Sequence, residues 1–153
     1  RRSFEARERI NRRGMVVLAG WSASHLLLSA TALLTDAEYE EFHRMNIAWS
    51  GVNIAIAGSA LIASHAATPP ETLAGEITAQ HRIEKILLTN AGLDAGYVGV
   101  GALLLALGAE RGESRLREFG SAVMLQGGFL LLFDVVLARI QSRNRRYEAV
   151  LPR

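Results

Sequence analysis

The stretch from Lys85 to Leu107, KILLTNAGLDAGYVGVGALLLAL, is an apolar run long enough to cross a bilayer, and it carries an aspartate, Asp94, inside it. A helix needs roughly 20 apolar residues to span about 30 Å of hydrocarbon. Runs of that length recur at Gly14 to Leu34, Met45 to Ala67, Ile86 to Ala109 and Phe119 to Ala138. The charges crowd into the two ends and three short connectors. A soluble bundle would need charge about every turn on one face of each helix, and these runs do not provide it. The pattern predicts an all-α fold: a four-transmembrane-helix bundle forming one integral membrane domain over residues 1–153.

Orientation follows the lysines and arginines of short flanks. Arg1, Arg2, Arg7, Arg9, Arg12 and Arg13 precede the first span, Arg82 and Lys85 lie in the second connector, and Arg139, Arg143, Arg145, Arg146 and Arg153 follow the last. The opposite side has only Arg44, Arg111, Arg115 and Arg117. This asymmetry predicts up-down-up-down topology with both termini cytoplasmic and cytoplasmic extensions at 3–13, 69–85 and 139–153. The arginines lack the interleaved aromatics of an RNA-binding surface, so no nucleic-acid partner is expected. The first run is too long for a signal-peptide core and leads directly into further spans, so it reads as a retained helix. With no cysteine there is neither a disulfide framework nor a thiolate metal site.

Local signals place the helix ends. Ser3 is a candidate cap for the first helix, where Glu5 and Glu8 can pair with arginines one turn on. Thr35 to Glu38 and Thr68 to Glu71 both match the S/T-x-x-E capping box, the second with proline at the first helical position. Helix three is expected to run unbroken from Pro69 into the opening stretch and to end at Gly108 and Gly112, with Ser114 capping helix four. Small residues at Gly51, Ala55, Ser59 and Ala63, and glycines at 92, 96, 99 and 101, suggest close helix contacts. A shift of 73 positions aligns Arg44 with Arg117 and Asn53 with Gln126, matches that a duplicated hairpin would give but that apolar helices also give by chance.

The polar residues inside the runs are the candidate site. A lone carboxylate in hydrocarbon costs on the order of 3 kcal/mol on insertion scales, so each must be protonated, paired or hydrated. Asn90, Asp94, Tyr97 and Gly101 share one stripe of helix three, and Asp134 on helix four can face it. His25, Asn53 and Gln126 fall at similar depth nearer the other side and would continue a path. For Asp134 the structural reading is a pairing with Arg12, Arg13 or Arg139; for Asp94, hydrogen bonds from Tyr97, Asn90 or a neighbouring helix. His25 could also be a core histidine bonded to Asn53 or Gln126. Haem is disfavoured because no second histidine matches its depth, and no metal-ligand spacing appears, so no cofactor or metal is expected. Ser22 and Ser29 flank His25, but such hydroxyls commonly bond the preceding helical turn, and no catalytic residue is assigned.

The segments FHRMNIAWSGVN, RIEKILLTNAGLDAGY and GSAVMLQGGFLLLFD together resemble an uncharacterised family of small four-span bacterial membrane proteins, a domain of unknown function. The resemblance implies a multi-pass protein of the bacterial inner membrane and supplies no activity. The reading that follows is a non-enzymatic protein that binds or conducts a small solute, proton or ion. The alternatives are a structural or accessory subunit of a membrane complex, and a membrane-embedded enzyme acting on a lipid or quinone. The partners are the lipid bilayer and either further copies of the chain or another membrane protein.

Overall fold

The computed structural model describes residues 2–35 and 38–148, with side chains described for 3–35 and 38–144. It is all α: α1 (Arg2–Leu34), α2 (Glu40–Ala66), α3 (Leu73–Arg111) and α4 (Ser114–Glu148). All four are long and apolar enough to cross a membrane. The longest, α3, has 39 residues and a length of about 58 Å, almost twice a hydrocarbon core.

The helix ends differ in part from the expected caps. Ser3 lies inside α1, and its hydroxyl donates to Glu76 Oε1 at 2.6 Å. Thr35 closes α1 instead of opening α2, because its hydroxyl donates to the carbonyls of Thr31 and Ala32, both at 3.1 Å. Asp36 and Ala37 of that capping box lie outside the described residues. α2 starts only after Tyr39, which takes a left-handed conformation (φ 68°). α3 also starts later than expected, at Leu73, where Thr72 Oγ1 accepts from the Gly75 N–H at 3.1 Å. Pro69 and Pro70 remain outside: a proline disfavours the helical region for the residue before it, here Thr68 and Pro69, and the chain is already extended at Ala67. From Leu73 onward α3 is unbroken. It ends as expected at Gly112, whose φ of 70° suits a residue without Cβ, and the Gly112 and Glu113 N–H groups return to the Gly108 carbonyl.

α1 pairs with α2 and α3 with α4, and the two hairpins meet through α4, which packs on both α1 and α2. The α3–α4 seam depends on glycine. A Cβ on Gly101 would stand 2.9 Å from the Gly120 carbonyl oxygen, and one on Gly120 would stand 2.6 Å from that of Gly101. The other expected small-residue ridges point away: Gly51, Ala55, Ser59, Ala63, Gly92, Gly96 and Gly99 are exposed on the outside of the bundle. The buried apolar core, Met15, Leu18, Ala57, Leu87, Leu137 and Ala138, joins all four helices.

At one end the starts of α1 and α3 and the end of α4 are knotted together. Arg7, 3% exposed, pairs with Glu76, and Gln80 Nε2 donates to the Gln141 carbonyl at 3.0 Å. Gln141 Nε2 donates in turn to the Arg7 carbonyl at 3.3 Å. The charged helix extensions are thus packed against one another. At the other end the Glu41 N–H donates to Glu118 at 3.0 Å, Arg115 reaches Glu41 at 3.4 Å, and His43 lies 3.3 Å from the Ser29 hydroxyl.

A hairpin duplication is not matched by equivalent contacts. Asn53 and Gln126, the repeat partners, have different roles: Gln126 is bonded on both sides, whereas Asn53 Nδ2 has no partner. Symmetry would also require α3 to pack on α2 as α4 packs on α1, and the close packing of α3 is confined to α4.

Candidate functional site

Where α3 fails to close on α2, a cavity of about 460 Å³ remains. Its walls are apolar: Met15 and Leu18 from α1, Val52, Ile56 and Ala60 from α2, Ile83, Ile86, Leu87 and Leu93 from α3, and Leu130 and Phe133 from α4. The polar lining is Asn11, Asn53, Asn90, Asp94 and Asp134, with Trp49 and Tyr97 meeting edge to face across the α2–α3 gap at 5.0 Å. Val52, Ile56, Ile86, Leu93 and Tyr97 are well exposed, so the cavity opens sideways between α2 and α3. A mostly apolar cavity with a few converging polar groups is the usual form of a small-molecule site.

Helix periodicity explains the polar wall. Asn90, Asp94 and Tyr97 recur on one stripe of α3, and Asp134 faces them from α4. Asp94 and Asp134 are 4% and 6% exposed, and their carboxyl groups are in hydrogen-bonding contact. Asp94 Oδ2 has no donor. Ionised carboxylates only accept, and two side by side repel, so such a pair needs a proton or a cation between its oxygens. The arginine pairings considered for Asp134 are not formed: among the described residues neither aspartate has a basic partner, and no lysine, arginine or histidine lines the cavity. Asp94 also receives no hydrogen bond from Tyr97 or Asn90.

Of the seven residues singled out in the sequence, five therefore line one cavity: Asn53, Asn90, Asp94, Tyr97 and Asp134. The other two stand apart. Gln126 is fully buried in a closed tie, in which Trp21 Nε1 donates to its Oε1 at 3.1 Å and its Nε2 donates to Asn46 Oδ1 at 2.6 Å. His25 lies against Trp21, with ring centroids 4.2 Å apart, and bonds to neither Asn53 nor Gln126. The tie takes up the polar groups that would have continued a path beyond the cavity. Asn46 had the same signal as Asn53, being two turns away on the same stripe; the offset of α2 against α4 selects Asn46 for the tie and leaves Asn53 at the cavity.

Residues 17–135, which include both polar layers and every cavity residue except Asn11 and Met15, match a single family. The chain belongs to DUF6992, a family of unknown function. No curated protein and no solved structure matches it. The DUF6992 region includes Glu76 and Gln80 but excludes Arg7 on one side and Gln141 on the other, so the match covers the tie and most of the cavity but only part of the knot at the helix ends.

Proposed function

We propose that this is a non-enzymatic multi-pass protein of the bacterial inner membrane that binds a small solute, proton or ion in the cavity between α2 and α3. The observation that carries this reading is the Asp94–Asp134 pair: two buried carboxyls in contact, on the wall of an open cavity, with no basic residue to balance them. In this reading the helices pass up, down, up and down, with both termini in the cytoplasm, a topology that the arginine asymmetry supports. Asp94 and Asp134 hold the bound species, and Asn53, Asn90 and Tyr97 complete the site. Because Gln126 is committed to Trp21 and Asn46, the site is a lateral pocket and not a continuous conduit.

The test is proton uptake by the protein in lipid nanodiscs across the range from carboxylic acid to neutral pH. The expected result is about one proton per chain more for the wild type than for Asp94→Asn, since a paired dicarboxyl site exchanges one shared proton. Equal uptake, together with equal binding of sodium and potassium ions by both proteins, overturns the reading.

One group of observations favours a second role, as a subunit of a membrane assembly. The ridge at Gly51, Ala55, Ser59 and Ala63 and the face at Gly92, Gly96 and Gly99 are small, exposed and unused within the chain, and small residues are what helix contacts in lipid require. Under that role Gly92→Leu reduces retention of a partner or a second copy on purification and leaves proton uptake unchanged.

A further inference from the structure

We infer that the cavity takes lipophilic organic cations: molecules with one delocalised or shielded positive charge on an apolar body, admitted from the bilayer through the gap between α2 and α3. The inference rests on the carboxyl pair as a binding site and specifies what it binds.

Three observations converge. The first is charge. Asp94 is 4% exposed, has an oxygen without a donor, and contacts a second carboxyl with no basic residue on the cavity wall to neutralise either. A ligand that brings positive charge supplies what the fold omits, and the low dielectric makes that attraction strong. An anionic head would add a third negative group and is refused.

The second is the aromatic pair. Trp49 and Tyr97 line the same cavity at right angles, 5.0 Å between centroids, so one ring can offer its face where the other offers its edge. Indole and phenol faces attract cations, most strongly those that shed water easily. A sodium ion does not shed its water easily, whereas a quaternary or aryl-substituted cation does.

The third is the route. The rest of the wall is mostly apolar, and the exposed Val52, Ile56 and Leu93 border the gap, with Asn90 the exposed amide among them. A water-soluble cation would find no charged vestibule there; a lipophilic one already partitions into the layer that the gap faces.

Asp94, Asp134 and Tyr97 are the titratable side chains among the described residues that line the cavity, so the proton shared by the aspartates competes with the ligand. Binding a cation releases that proton. Affinity therefore rises with pH until the pair has lost its proton.

The experiment uses the full chain in nanodiscs and two probes of nearly the same shape and opposite charge, tetraphenylphosphonium and tetraphenylborate, measured by equilibrium dialysis. The expected result is saturable binding of the phosphonium, none of the borate, and release of up to one proton per phosphonium bound. Asp94→Asn should weaken phosphonium binding at least about tenfold, with Asp94→Glu restoring part of it. Trp49→Leu, which leaves both carboxyls in place, should weaken it about 3- to 30-fold. Equal binding of the two probes, or phosphonium binding unchanged in both Asp94→Asn and Trp49→Leu, overturns the inference. Proton uptake that depends on Asp94 without phosphonium binding overturns it while leaving the carboxyl site standing; absence of both removes the two together.

Discussion

The bundle contains two buried polar clusters built from the same kinds of residue, and they are finished differently. In the tie of Trp21, Gln126 and Asn46, donors meet acceptors: the indole N–H and the two amides are joined at 3.1 and 2.6 Å and held in a closed helix junction. In the cluster of Asp94, Asp134 and Asn53, carboxyl meets carboxyl, the donor Asn53 Nδ2 and the acceptor Asp94 Oδ2 both lack a partner, and a cavity lies alongside. Fully satisfied polar groups fix one packing, while unsatisfied ones hold free energy that a ligand can release. The first cluster is closed as a clasp; the second is left open, which is why it is the one proposed as a site.

Substitutions should separate the two by sign. The largest effect is expected outside both, at the knot of helix ends, where Arg7→Met leaves the Glu76 carboxylate without its counter-charge, held by the Ser3 hydroxyl, and should cost about 3 kcal/mol in reversible unfolding from mild detergent. If the cost is under 1 kcal/mol, the knot is solvated and does not belong with the clasp. Next, Gln126→Leu orphans both Asn46 Oδ1 and Trp21 Nε1 and should cost about 2 kcal/mol, with indole fluorescence shifting as the N–H loses its acceptor. Asp94→Asn should do the reverse. An amide can donate to Asp134 where a carboxylate repels it, so stability should stay level or rise by up to about 1 kcal/mol while binding is lost. A loss of about 2 kcal/mol instead would make the aspartate pair a second clasp. The smallest effect is at Arg44, whose pairing with Glu40 is 56% exposed; Arg44→Ala should change stability by less than about 0.5 kcal/mol and be screened out by salt.

Much of this was legible in the residues, for identifiable reasons. Helix number and length follow from hydrophobic runs, which bilayer thickness makes unambiguous. The continuity of α3 and its stop at Gly112 follow from backbone chemistry within a few residues. Asp94 and Asp134 could be brought together because each is the odd residue in its run and hydrocarbon allows few places for it.

What was not legible depends on register between helices. Asn46 and Asn53 share a stripe, so only the offset of α2 against α4 decides which is tied. Thr68 and Thr72 can both cap, and the proline pair weighs against the first by disfavouring helical backbone at Thr68 and Pro69. Gly51 and Gly101 look equally suited to contact, yet only Gly101 meets a helix of its own chain, since periodicity assigns residues to a face and not the face to a neighbour. Arg7 looked like one more solvated arginine because its partner is 69 positions away.

That separation matters for how the chain is made. Synthesis delivers α1 and α2 first, and they can pair as soon as both are in the membrane, as helices that insert independently do. Arg7 must then remain in water until α3 has begun and Glu76 exists, and Gln141 cannot close the knot until the fourth helix is complete. The knot is therefore the last junction to close and reports that both hairpins have arrived. A chain halted before α4 would leave the α3 glycine seam at Gly101 and Gly108 without the helix that fills it.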